Sequence, residues 1–192
     1  MFMKNRSNNV SRAENQQERL IKIGWVVGFV DGEGCFTIGF IKQPDRPDRK
    51  GYRLGLQPYY EFAVTQSISS KESLLQLKDF FGVGKLYINK RYDEHKEHLY
   101  RYTVRKRSDL LNVIIPFFKK HELQTKKRKN FDIFVKCLKM IEEGAHLRRK
   151  GLIKIIKLTE NMNQQRRKNN LISILRNQTP KLAISKMKPW VR

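Results

Sequence analysis

A chain of 192 residues with 41 Lys and Arg against 18 Asp and Glu, a net charge of +23, is long enough to bury a core as one domain or slightly more. So large an excess points to a polyanion as partner, either nucleic acid or an anionic surface. A membrane span is excluded, because the longest uncharged apolar run, 23–30, falls far short of the ~20 residues required.

The first residues are polar, carry Glu14 and Glu18, and contain no apolar stretch of the secretory type. Cys35 and Cys137 lack CxxC spacing and read as buried thiols in a reducing compartment. His95, His98, His121 and His146 form no metal-ligand pattern. The Asn and Lys richness suits an AT-rich genome. The expected location is therefore an organelle (chloroplast or mitochondrion) or the bacterial cytoplasm, with no secretion and no membrane.

The predicted elements begin with a helix over 16–31, whose polar first turns lead into an apolar run that Gly32-Glu33-Gly34 breaks. Residues 35–42 read as a strand. Two prolines and a glycine make 44–51 a loop. Aromatic and β-branched residues make 52–67 a long strand, with Pro58 requiring a bulge or an edge position. Ser70 caps a helix over 70–81, with apolar residues at 74, 77, 80 and 81. Residues 85–90 and 98–105 form a hairpin around a charged loop. Ser108 caps a helix running to Lys120 and interrupted near Pro116. A helix over 125–143 buries Phe131, Phe134, Val135, Leu138 and Ile141, and a shorter one covers 147–158. From Arg176 onward there are Lys and Arg but no acid, a flexible or loosely docked basic tail suited to sequence-blind phosphate contact. The order α-β-β-α-β-β-α specifies an α+β fold with a largely antiparallel sheet, helices on one face and the other face open and basic. The domain occupies 20–160, between a polar extension over 1–19 and the basic tail over 161–192.

Within the first helix Gly24, Gly28 and Gly32 recur at i, i+4, i+8 and share one face. Each costs roughly 1 kcal/mol relative to alanine, so another backbone is expected to approach closely there. Trp25 and Phe29 are expected in the core. Asp31 and Glu33 follow at i, i+2, diverging by about 200° on a helix, so the two do not chelate one ion together. An acid at a helix C-terminus opposes the dipole, which favours a functional role for Glu33. Four cations at 126–129 likewise oppose the dipole of the helix they open, which favours phosphate contact.

The segment Val26-Val-Gly-Phe-Val-Asp-Gly-Glu-Gly34 resembles the nine-residue signature of the LAGLIDADG homing endonucleases, in their single-motif form. Val26-Val27 replaces leucine-alanine, and the second acid is glutamate. The strand after the signature, Phe62-Ala-Val-Thr-Gln66, Phe81-Gly-Val-Gly-Lys85 and Lys126-Lys127-x-x-Asn130-Phe131 match as well. The resemblance implies the αββαββα fold, a saddle-shaped antiparallel sheet with helices on one face. It also implies metal-dependent hydrolysis of DNA with Mg2+, for which Mn2+ substitutes.

Residue by residue, the resemblance makes Glu33 the metal ligand, with the Gly34 carbonyl completing the shell. Asp31 holds the dimer together or reaches the metal. Gln66 positions solvent, and Lys127 or Lys126 polarises solvent or the phosphate. Lys71 stands near a basic family position, although Ser70 is the residue that aligns. No second signature occurs in this sequence, so a second carboxylate is expected from a second subunit. A homodimer through Gly24, Gly28, Asp31 and Gly32 supplies it, over a long near-palindromic site.

Strands of about eight residues at ~3.3 Å span roughly 27 Å of double-stranded DNA, about eight base pairs. The expected readers are Thr37, Ile41, Gln43, Arg53, Tyr87, Asn89, Arg101, Thr103 and Arg105. The alternative function is an intron maturase that binds its own intron RNA with the same fold.

Overall fold

The computed structural model describes residues 4–43, 47–90, 97–162, 171–172 and 175, with side chains in the first helix from residue 14. The elements run α1 (Lys4–Glu33), β1 (Gly34–Lys42), β2 (Leu56–Ser67), α2 (Lys71–Phe81), β3 (Lys85–Asn89), β4 (Leu99–Val104), α3 (Arg107–Asp109), α4 (Ile115–Lys120), α5 (Lys127–Glu142) and α6 (Arg149–Glu160). The sheet has the order β1-β2-β4-β3. Both pairings of β4 are antiparallel, Phe62–Ser67 of β2 against Leu99–Val104 and Lys85–Asn89 of β3 against Leu99–Thr103. The fold is α+β, as the element order requires.

Several boundaries differ from those read in the sequence. Gly32 and Glu33 remain helical, and β1 starts at Gly34 without an intervening loop. A Cβ at Gly34 would sit 2.7 Å from the Val30 carbonyl oxygen and 2.6 Å from Val30 Cγ1, so only glycine allows this direct passage from helix to strand. Residues 52–55 form a turn and not the start of β2. Pro58 lies inside β2, where β4 no longer pairs, so its missing N–H leaves no gap in that ladder. Ser70 precedes α2 but makes no capping bond, and the helix ends at Gly82, whose φ of 65° and N–H bond to the Lys78 carbonyl form a left-handed cap. Lys106, not Ser108, occupies the N-cap of α3. The interruption expected near Pro116 is a π turn over Leu110–Ile114, ending two positions before the residue that lacks an amide proton.

The contacts divide the chain into one unit of Met1–Thr37 with Tyr60–Val135, and another of Ile38–Tyr59 with Lys136–Arg192. The first unit is organised around phenylalanines. Phe36 stacks on Phe62 with ring centroids 5.0 Å apart and meets Phe118, Phe131 and Phe134 at 5.7, 5.1 and 5.5 Å. Val26 and Val30 of α1 are fully buried. Trp25 and Phe29, expected in the core, instead stack on each other at 5.3 Å and stay half-buried. The i, i+4 pair that faces inward is 26/30, and 25/29 lies about 100° around the helix from it.

The second unit has a smaller core of Leu56, Leu152, Ile156 and Leu175, with Phe40, Leu54, Ile153, Leu171 and Ile172 packed against it. Leu171, Ile172 and Leu175 belong to the stretch read as a basic tail, so apolar residues there dock although the composition is polar. The part of the tail after 176, the loop residues 44–46 and the hairpin residues 91–96 lie outside the described residues. No helix among the described residues is long and apolar enough to cross a membrane.

Candidate active site and nucleic-acid interface

The last turn of α1 ends in Asp31 and Glu33, and the last four carbonyls of an α-helix lack partners within it. Asp31 turns toward the segment before α5. Its Oδ2 accepts the Gln124 N–H at 2.6 Å, and its Oδ1 accepts the Thr125 hydroxyl at 2.8 Å and the Thr125 N–H at 3.3 Å. Thr125 Oγ1 in turn accepts the Lys127 N–H at 3.2 Å. The carboxylate therefore fixes the first turn of α5 against the foot of α1. Both of its oxygens are engaged inside the chain, and neither needs a second subunit to be satisfied.

This anchoring aims Lys127 back at α1. Its Nζ donates to the Val30 carbonyl at 2.9 Å and to the Gly32 carbonyl at 3.0 Å, placing a cation on the negative end of the helix dipole. Burial lowers the pKa of this ammonium from its ordinary value, and Asp31, Cys35 and Glu33 pull in the opposite direction. Lys126 is exposed. Of the two lysines proposed from sequence, the fold brings Lys127 to the paired acids.

Glu33 is exposed, and no hydrogen bond engages its carboxylate among the described residues. It is the available hard oxygen donor at this end of the helix, the type a divalent cation takes. No group of three His, Cys, Asp or Glu residues stands together among the described residues, so further oxygens must come from water, phosphate or a second carboxylate. Gly34 is buried beside Glu33. Gln66 is half-buried and pairs with Tyr100 near the end of β2. Lys71 is exposed at the start of α2. Among the described residues no bond ties Gln66 or Lys71 to Glu33 or Lys127.

The glycine face of α1 is open. A Cβ built on Gly24, Gly28 or Gly32 meets no heavy atom within 4 Å among the described residues. Leu20 and Ile21 on the same helix are 60% and 65% exposed. The close backbone approach that the glycines suggest is therefore not made by the described part of this chain.

Alternation along the strands separates the predicted readers from the core. In the first unit, Phe36, Phe62, Val64, Tyr102 and Val104 point inward and are buried. Thr37, Lys85, Tyr87, Asn89, Arg101, Thr103 and Arg105 occupy the opposite face. Tyr87 is 44% exposed. Thr103 is only 3% exposed, which withdraws it from any base it was expected to read.

The reason lies in Glu61, a residue the sequence reading passed over. Its carboxylate takes Arg101 Nη2 on Oε1 and Arg105 Nε at 2.8 Å on Oε2. Arg101 pairs across from Thr65, four residues along β2 from Glu61, so its side chain runs along the sheet past the Ala63–Thr103 row to reach that carboxylate. In the second unit, Ile41 is exposed on the alternate face. Gln43 donates to Gln57 Oε1 at 3.3 Å and accepts from Arg49 at 3.1 Å. Arg53 is exposed in the turn before β2.

Residues 26–138 match the sequence profile of the LAGLIDADG endonucleases, and the chain belongs to that family. Probable intron-encoded DNA endonuclease 1 of Mycosarcoma maydis is 31% identical over 123 residues, 64% of this chain and 40% of that protein. The chain thus spans well under half the length of that curated relative. Among solved structures, the homing endonuclease I-TnaI is 38% identical with a TM-score of 0.64, covering 80% of this chain and 95% of the other. I-SmaMI bound to an uncleaved DNA target in the presence of calcium ions is 29% identical with a TM-score of 0.66, covering 82% and 49%.

Proposed function

We propose that the protein is a site-specific, intron-encoded DNA homing endonuclease that acts as a homodimer on a long near-palindromic site. The observation that carries this reading is the foot of α1. There the exposed Glu33 carboxylate acts electrostatically on Lys127, whose ammonium is held on the Val30 and Gly32 carbonyls, at the end of an open glycine face. A second copy packed through Gly24, Gly28 and Gly32 brings two Glu33 carboxylates to one axis. Coverage of 95% of the I-TnaI chain supports a unit of this size.

Asp31 acts as the tether that holds Lys127 in place, and Glu33, with the Gly34 carbonyl, holds the metal. When bound, Mg2+ or Mn2+ supplies a lowered water pKa and neutralises the phosphate. Lys127 supplies a positive charge, and in its deprotonated form a base, next to the scissile phosphate. Gln66 orients solvent. The open sheet faces lie in the major groove of double-stranded DNA, where every base pair presents a distinct edge.

The test is cleavage of a randomised DNA pool by the purified protein with Mg2+, with EDTA and Glu33→Gln as controls. The expected outcome is a single class of cut sites with approximate twofold symmetry, lost with EDTA. Glu33→Gln should abolish cutting while retaining binding. A protein that cuts nothing but binds structured intron RNA tightly would replace this reading with the maturase one.

A further inference from the structure

Among the described residues, the sheet face opposite the core carries one buried acid. Glu61 is 7% exposed, in a chain of net charge +23, on the surface assigned above to DNA. A lone carboxylate there would repel phosphate, and burial without partners would be costly. It is instead saturated by two guanidiniums held in different ways. Arg105 binds it through Nε, so both terminal nitrogens stay outside the pair, and its side chain is 64% exposed. Arg101 binds it through a terminal nitrogen, its side chain is 29% exposed, and its Nε is buried with no partner among the described residues.

The geometry points to a division of labour in which Arg105 reads a guanine in each half-site, Glu61 aims it, and Arg101 is the buttress that holds Glu61 in place. Paired reading of guanine O6 and N7 takes a guanidinium fork. Arg105 presents its two terminal nitrogens as that fork because Nε is the atom anchored. An arginine anchored at Nε loses less rotamer freedom on binding than a free one. Arg101 has spent a terminal nitrogen and lies along the sheet, so it contributes charge and cover over Thr103. Glu61 is thus a positioning residue for specificity, a role separate from the hydrolytic foot of α1 but resting on the site-specific DNA reading above.

The experiment is selection of bound sites from a random duplex pool, without catalytic metal, by the wild type, Glu61→Gln, Arg105→Lys and Arg101→Met. The wild type is expected to enrich a guanine at one symmetric pair of positions. Arg105→Lys, altering an exposed side chain, should lower the preference at those positions by about tenfold or more and leave the others unchanged. Glu61→Gln should relax the same positions while raising affinity for random DNA and steepening its salt dependence, since one negative charge is gone. A residue that merely held the sheet together would not produce that pairing of effects. Arg101→Met should weaken the guanine preference at the same positions and leave the others unchanged.

Unchanged preference at every position in both Arg105→Lys and Glu61→Gln overturns the assignment, while a site still enriched by the wild type leaves the endonuclease reading standing. A wild type that enriches no sequence overturns both.

Discussion

Asp31→Ala tests whether the tether beneath α1 carries the weight placed on it. The substitution removes an acceptor of three hydrogen bonds, from Gln124 N–H, Thr125 N–H and Thr125 Oγ1. Bonds to a charged group contribute about 1.5–3 kcal/mol each. The bond at 3.3 Å is long and counts for little. The site is partly open to water, so the lower end applies to the other two, about 3 kcal/mol in all. For a chain of this size that is a fall in Tm of roughly 6–12 °C.

Thr125→Val deletes one of the two strong bonds and the acceptor of the longer Lys127 N–H bond, and its cost should be about 1.5–2 kcal/mol. Because the residues share that bond, the double variant should be less destabilised than the sum, by about 1.5 kcal/mol. Thermal and urea unfolding of the wild type and three variants measures all of this. An Asp31→Ala protein within about 1 °C of wild type, or a strictly additive double variant, would refute the tether and return Asp31 to a role outside its own chain.

Gly28→Ala separates the helix from its proposed partner. Its Cβ meets nothing within 4 Å among the described residues, so the monomer should gain about 1 kcal/mol of helix stability. Dimerisation, followed by sedimentation equilibrium, should weaken; unchanged association would remove the glycine face from the interface. Burial lowers the pKa of Lys127, so the folded protein releases this proton at a lower pH than the unfolded chain. The stability penalty is present below the folded pKa and disappears as pH rises toward the ordinary lysine value. Cleavage should rise with pH over the same range as the neutral amine becomes available, and Lys127→Met should flatten that rise. A pH–rate profile identical in the two proteins would exclude Lys127 as the titrating base.

The foot of α1 was legible in the sequence because its signal is local. Gly28, Asp31, Glu33 and Gly34 stand within seven residues, and an apolar run ending in acids and glycines has few structural explanations. The inward face of α5 was legible for the same reason: Phe131, Phe134, Val135, Leu138 and Ile141 recur at helical spacing, and all are buried. The choice between Lys126 and Lys127 was not legible, because adjacent residues differ by about 100° around a helix and only the docking of α5 on Asp31 sets its rotation. Nor was the pairing of Trp25 with Phe29, since an apolar run without polar gaps does not show which stripe faces inward.

Chain-local chemistry determined the family, the α+β order, the acids at the end of α1 and the basic character of the surface. Tertiary structure decided which charges are available. Glu61, Arg101 and Arg105 are 40 and 44 residues apart in sequence, and only the antiparallel register of β2 and β4 joins them. That register turns Arg101 from a free cation into a half-buried partner of Glu61, beside the buried Thr103. It also leaves Arg105 with an exposed guanidinium in a set orientation, because a strand's alternation assigns each side chain a face while its partner strand assigns its neighbours.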